Sequence, residues 1–261
     1  MIIAALRLCA ITVLFCPVAL FGQAVYGSIS GNVTDSSGSA VYSAYSHKQW
    51  HMVSLLRLHG GVVTADTAAL YRQTDLARQM PAGDTADLLK FGACGGATEI
   101  VRLALERIDW PRDDPRWFRI LTEPLTFWHH IPWLYAGNKD FDTESYLASF
   151  QLILARCDVN VTGGFGRTAL HEVAAMGDWV SDDQTEPFAR SLLEAGAKTN
   201  VRDDILRSTP LGWACRWGRA RVVEALLKHG ADREEADAEP WATPKAWARK
   251  MGHPMIEKLL M

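Results

Sequence analysis

The feature that most constrains this chain is a repeated order of residues. Thr209-Pro210 recurs as Thr243-Pro244, a spacing of about 34 residues that suits a repeating helical unit. After the first come Leu211, the small pair Ala214-Cys215, Gly218, the apolar set Val222, Val223, Leu226 and Leu227, and then Gly230-Ala231-Asp232. After the second, in matching order, come Ala246, Ala248, Gly252-His253, Ile256 and Leu259-Leu260. Each copy reads as two antiparallel helices. Threonine caps the first with its hydroxyl, and proline at the first helical position has a suitable φ and no N–H to lose. Small residues let the partner helix approach, and glycine permits the reversal between them. One such hairpin cannot bury its own apolar face, so the pattern predicts further copies on either side.

A third copy lies upstream. Gly166-Arg167-Thr168-Ala169-Leu170-His171 leads to Ala174 and Gly177, and its second helix closes on Leu192-Leu193-Glu194-Ala195-Gly196-Ala197. Thr168 precedes Thr209 by more than one period, and the surplus is expected at residues 179–185, between the two helices. The order T-P-L or T-A-L-H, then A-x-x-x-G, then L-L-x-x-G-A resembles ankyrin repeats, whose T-P-L-H signature recurs about every 33 residues. The resemblance implies an all-α solenoid of stacked helical hairpins over about residues 43–261, clearest at 84–116, 164–203, 205–237 and 238–261.

It also implies a function: a concave surface, made of the loop tips before each T-P-L and the outward positions of the first helices, offered to a protein partner. Carried over residue by residue, this surface holds Asp204, Ile205, Leu206 and Ser208 at one tip, with Arg216 and Trp217 on the helix that comes next. The preceding repeat contributes Phe165, Arg167 and Met176. Aromatic residues and arginine are the types that binding hot spots favour.

The chain opens differently. Residues 1–7 carry one positive charge, 8–21 form an almost unbroken apolar run, and Gly22-Gln23-Ala24 supplies small residues where a signal peptidase reads. Residues 1–24 are therefore expected to be a secretory signal; the run is short of the roughly 20 residues a membrane span needs, and an uncleaved anchor is the lesser alternative. Cys9 and Cys16 lack the small preceding residue of a lipoprotein signal. Residues 25–42 form a Gly/Ser-rich leader, in which YGSISGNVTDSSGSAV reads as a strand and a turn. That stretch resembles the opening of carboxypeptidase-regulatory-like β-sandwich domains. The other strands of such a sandwich are missing, and an isolated strand pair is not stable. A fused segment and a misplaced gene start both account for it. The export signal predicts a periplasmic protein with a mature start near Val25; a cytoplasmic location is the alternative if the signal is spurious.

Helical composition begins at Tyr42. HKQWHMVSLLRLHGG, residues 47–61, reads as the second helix of a capping repeat whose first helix is missing or degenerate, and residues 65–80 as a faint repeat. Further on, Glu123-Pro124-Leu125 is expected to open a first helix and residues 152–160 to close the second. The surplus between them holds Trp128, His129, His130, Trp133 and Tyr135. Insertions of this kind map to loops, often on the binding side.

Several chemistries lack their residues. The 48% hydrophobic, 22% charged composition is globular, and the net charge of −3 comes with no basic stripe for nucleic acid and no later run able to span a membrane. Cys94, Cys157 and Cys215 match no zinc spacing and read as buried free thiols. His171-Glu172 has no second histidine at zincin spacing, and the resemblance gives His171 the role of holding a turn. No metal ligand set is read from His129 and His130, since Asp140 and Asp142 belong to the next loop. Asp182-Asp183 and Asp203-Asp204 read as solvated turn residues. No phosphate loop, nucleophile elbow or carboxylate pair is present, so neither an enzyme nor a cofactor is expected. Two other roles remain in competition: an envelope structural or transport-linked protein that uses the repeats as a spacer, and an enzyme built in the irregular middle.

Overall fold

The computed structural model describes residues 38–130, 142–176 and 180–261. Among them, helices follow one another in seven hairpins: α1 (Ser39–Ser46) with α2 (Trp50–Leu58), α3 (Ala65–Leu70) with α4 (Thr74–Gln79), α5 (Thr85–Cys94) with α6 (Thr98–Arg107), α7 (Arg116–His130) with α8 (Thr143–Leu154), α9 (Ala169–Ala174) with α10 (Asp182–Glu194), α11 (Pro210–Arg216) with α12 (Ala220–Lys228), and α13 (Pro244–Met251) with α14 (Pro254–Leu259). From α3 onward each first helix packs on the next first helix and each second helix on the next second helix. No strand occurs among the described residues beyond one isolated bridge, Thr162 to Thr168. The fold is an all-α ankyrin-repeat solenoid.

One backbone device makes the hairpins. Two residues after α1, α3, α5 and α11, the chain enters the left-handed region, at Lys48 (φ 55), Arg72 (φ 56), Gly96 (φ 60) and Gly218 (φ 73); after α13 it does so at Gly252 (φ 75). The next amide then returns to a carbonyl five residues back, as Gln49 to Ala44 (2.9 Å), Gln73 to Ala68 (2.8 Å), Ala97 to Gly92 (2.8 Å), Arg219 to Ala214 (3.0 Å) and His253 to Ala248 (2.9 Å). These bonds satisfy carbonyls that a helix end leaves open. The acceptor residue is Ala or Gly every time, and at Gly92 an added Cβ would meet Ile100 and Val101 of the second helix at 3.3 and 3.4 Å.

A continuous core runs from Ala65 to Leu260, and Ala214, Cys215, Val222, Val223 and Leu226 are buried in it. The first hairpin has its own small core of Val41, Ala44, Tyr45, Val53 and Leu56. Tyr71 links it to the rest, stacking on Tyr45 with ring centroids 5.2 Å apart.

Several expectations change. The first hairpin does have a first helix, α1, so residues 39–42 are not part of an extended leader: Val41, Ala44 and Tyr45 supply an apolar helical face. The signal, the rest of the leader, Trp133, Tyr135, Asp140 and residues 177–179 lie outside the described residues. Pro124 does not open a helix. It sits inside α7, which starts at Arg116 behind Asp114, whose carboxylate accepts the Arg116 amide at 2.9 Å. Asp142 is no loop residue either; it caps α8 through the Ser145 amide at 3.2 Å and pairs with Arg72 at 3.4 Å. The surplus after Thr168 does not all form a loop: α10 runs 13 residues against 9 in α12, so Asp182 and Asp183 are its first turn. Asp182 accepts the Arg221 amide at 2.8 Å, and Asp183 pairs with the Arg221 side chain.

The stack is uneven in a way that bears on function. Between α2 and α3, and again between α4 and α5, only about half a dozen residues intervene, whereas residues 195–209 and 229–243 form long connections before α11 and α13. Projecting tips therefore belong to the C-terminal half.

Candidate partner-binding surface

Each tip in that half precedes a threonine-capped first helix. Thr209 accepts the Gly212 amide at 3.3 Å and Thr243 the Ala246 amide at 3.2 Å. Thr168 is held instead by His171, whose Nδ1 accepts the Thr168 amide at 3.0 Å. The opposite ring nitrogen, Nε2–H, then donates to the Ser208 carbonyl of the next repeat at 3.2 Å. Burial disfavours the imidazolium and brings His171 down to about 4, so the ring is neutral near pH 7 and each nitrogen has one role. The turn-holding role expected of His171 is therefore present in the geometry. Since its folded-state pKa lies below the ordinary 6.5, His171 costs no stability above pH 6.5 and makes folding less favourable as pH falls toward 4, by about 3 kcal/mol in full. Urea melts of the wild type and His171→Gln should show their stability gap narrowing over that window. Glu172, Asp182 and Glu235, which burial raises, act with the opposite sign but are common to both chains. A constant or widening gap contradicts this assignment.

The second tip is built on a carboxylate. Asp203 is buried, and its two oxygens accept the amides of Ile205 (2.9 Å), Leu206 (2.7 Å) and Ser208 (3.1 Å) and the Trp213 indole N–H (2.9 Å). Burial alone would raise its pKa, but these four donors more than offset that and hold it below the usual range. Asp203 is thus no solvated turn residue. It folds the loop back on itself, a closure completed by its own amide to the Ser208 carbonyl at 3.1 Å. The neighbouring Asp204 is exposed, and its amide donates to the Phe165 carbonyl at 2.9 Å, joining the second tip to the first. The second tip is joined to the third by Arg202, which reaches Glu235 at 2.5 Å and Asp237 at 2.9 Å, while Thr209 bonds to the other Glu235 oxygen.

Beside the exposed charges, this framework presents large apolar side chains outward. Phe165 is 60% exposed and Ile205 51%, with Trp217 at 44% behind them. Phe165 holds a left-handed backbone (φ 62), an uncommon conformation for a bulky side chain. Arg167 is half-buried, pairs with Glu172 at 3.1 Å and lies over the Trp213 ring at 5.8 Å. Arg216 and Leu206 are half-buried. Two expected contact residues are interior. Met176 is buried in the core, and Ser208 is fully buried, its single hydroxyl proton shared between the Leu206 and Ala242 carbonyls (both 3.0 Å) while its oxygen accepts the Trp247 indole N–H at 2.7 Å. Register does not separate the two cases, since Met176 stands at the same step after Thr168 as the exposed Trp217 after Thr209.

Sequence reasoning passed over Trp213, Trp247 and Trp241. Trp213 and Trp247 stand one repeat apart, at the same step after each capping threonine, and form one row with Glu172; that recurrence was a usable signal. Trp241 is 49% exposed and packs edge-on against Trp247, with centroids 6.1 Å apart.

Among the described residues no group of three His, Cys, Asp or Glu side chains is placed to hold a metal ion, and no helix is long and apolar enough to cross a membrane. Cys94, Cys157 and Cys215 are free and buried, and burial pushes the Cys157 thiol up to about 11.

Comparison with known proteins agrees with this picture. Residues 143–237 match the family model for ankyrin repeats in three copies, the part of the chain that carries the first two tips and ends within the third. A 117-residue stretch, 44% of this chain, is 33% identical to ankyrin repeat domain-containing protein 63 of Homo sapiens and 32% identical to its Mus musculus counterpart, covering 30% and 29% of those proteins. A 61-residue stretch, 23% of this chain, is 36% identical to palmitoyltransferase AKR1 of Lachancea kluyveri, covering 8% of it. The chain thus aligns with less than a third of the length of each of these relatives.

Proposed function

We propose that this chain is a non-enzymatic protein-interaction module, and that the tips and first helices of its last three hairpins form a concave contact surface for a protein partner. The observation that carries this reading is the exposure of Phe165, Ile205 and Trp241 on tip loops tied together by Asp203, Arg202 and Glu235, with Trp217 exposed at the end of α11. Large apolar side chains held rigidly in water lose little conformational freedom on binding, which favours affinity. The matched repeats support an interaction role rather than catalysis. In affinity capture, Arg216→Ala/Trp217→Ala should reduce recovery of a specific partner by roughly tenfold or more, as hot-spot truncations do. Glu224→Ala/Lys228→Ala, on the exposed side of α12, should leave it unchanged. Equal recovery with both variants contradicts the assignment.

We further propose that the chain is exported to the periplasm and cleaved near Val25, on the strength of the charged, apolar and small-residue order of residues 1–24. Fractionation with N-terminal sequencing should find a periplasmic chain starting near Val25; an intact Met1 on a cytoplasmic protein overturns this.

A further inference from the structure

Three cations of the last three hairpins are matched to carboxylates: Arg167 to Glu172, Arg202 to Glu235 and Asp237, and Arg249 to Glu257 at 3.5 Å. Arg216 and Lys250 are not. They occupy the same register position in successive repeats, at the ends of α11 and α13, and neither has a carboxylate oxygen within 4.0 Å among the described residues. Yet both are drawn to one ring. The Arg216 guanidinium lies 4.6 Å from the Trp247 centroid and the Lys250 ammonium 5.1 Å from it, so the two charges are within about 10 Å of each other. That is comparable to the screening length at physiological salt, so part of their repulsion persists in solution. The ring's quadrupole attracts each cation but supplies no counter-charge.

The surroundings narrow what could supply it. Arg216 also lies 5.7 Å from the Trp217 centroid, Trp241 stands edge-on to Trp247, and Met251 is exposed beside Lys250. A positive focus two cations wide is thus bordered by exposed apolar side chains. On the tip side, exposed Glu234, Asp237 and Glu239 precede Trp241. A polymer with regularly spaced phosphates would run onto these carboxylates, whereas a single acidic side chain next to an apolar one would not.

We propose that Arg216 and Lys250, stacked on Trp247, anchor an acidic side chain of the partner, with Trp217 and Trp241 receiving an apolar residue next to it. The partner segment is then an acidic, leucine- or aromatic-containing peptide stretch. This rests on the interaction reading above and adds the chemistry of the ligand. The carboxylate bridges two cations in a partly desolvated setting, where charge-assisted hydrogen bonds are strong and guanidinium geometry gives them direction.

The test uses the full chain and three probes: an acetylated peptide of alternating Glu-Asp pairs and leucines, its Gln/Asn counterpart, and a single-stranded oligonucleotide of similar length. Calorimetry gives affinities, and the indole N–H signals of Trp217 and Trp241 report the location. The acidic peptide should bind at least about tenfold more tightly than the amide peptide, weaken markedly from about 50 to about 500 mM salt, and shift both indole signals. Arg216→Gln/Lys250→Gln should abolish the preference while its thermal melt stays unchanged, and Arg216→Lys should restore part of it. Equal affinity for the two peptides, binding indifferent to the double variant, or tighter binding of the oligonucleotide each overturns the proposal. If the peptides fail while a cross-linker at Ile205 still captures a protein partner, only the acidic chemistry is wrong; if both fail, the interaction reading falls with it.

Discussion

Leu226→Ala should lower the stability of the folded chain by roughly 2–5 kcal/mol, the range for deleting a large aliphatic side chain from a packed interior. Leu226 is fully buried on α12, which packs against α10, α11 and α14. Two of these belong to neighbouring repeats, and in a solenoid the loss falls on the interfaces that hold adjacent units together. Lys228→Ala, on the exposed side of the same helix, should change stability by no more than about 0.5 kcal/mol. Urea melts followed by circular dichroism separate the two. Similar losses from both would mean that α12 faces the other way.

Asp203→Ala should cost roughly 2–4 kcal/mol, because it strands three loop amides and the Trp213 indole N–H at a buried site. It should also loosen the second tip. Amide hydrogen exchange at Ile205, Leu206 and Ser208 should rise further than the drop in global stability explains. Asp203→Asn, which keeps an acceptor oxygen but loses the charge, should fall between wild type and alanine. Unchanged exchange at those three amides would show that the tip is held by something other than this carboxylate.

The C-terminal hairpins were legible because their turn chemistry is written in residues with few alternatives. Thr209-Pro210 and Thr243-Pro244 cap and start helices, and Gly218 and Gly252 take the left-handed turn that glycine adopts without cost. Upstream the same turn is made by Lys48 and Arg72, residues that carry no turn signal of their own. There the returning bonds reach Ala44, Ala68 and Gly92, an even spacing shorter than the one between Ala214 and Ala248. The long connections are missing from that half, so residues 47–80 show the repeat only faintly, while 84–116, with Gly96 at its turn, reads clearly. Pro124 misled for a related reason. Proline marks a helix start only when nothing upstream has started one, and the Asp114 cap and the buried Trp117 had already done so.

At the surface, the exposed residues Phe165, Asp204, Ile205 and Trp217 could be placed by register alone. Ser208 could not, since its burial comes with bonds to Ala242 and Trp247 of the next repeat, and Met176 is buried at the register where Trp217 is exposed. Asp203 looks like any loop aspartate until the chain folds back over it and delivers four donors to its oxygens.

The central claim, that a partner docks on the tip side of the last three hairpins, is tested most directly by site-specific photo-cross-linking. A benzophenone side chain introduced at Ile205, exposed at the second tip, should become covalently joined to the partner on irradiation. The same group at Lys228, exposed on α12, should not. Cross-linking at Lys228 and none at Ile205 would place the partner on the second helices and contradict the account.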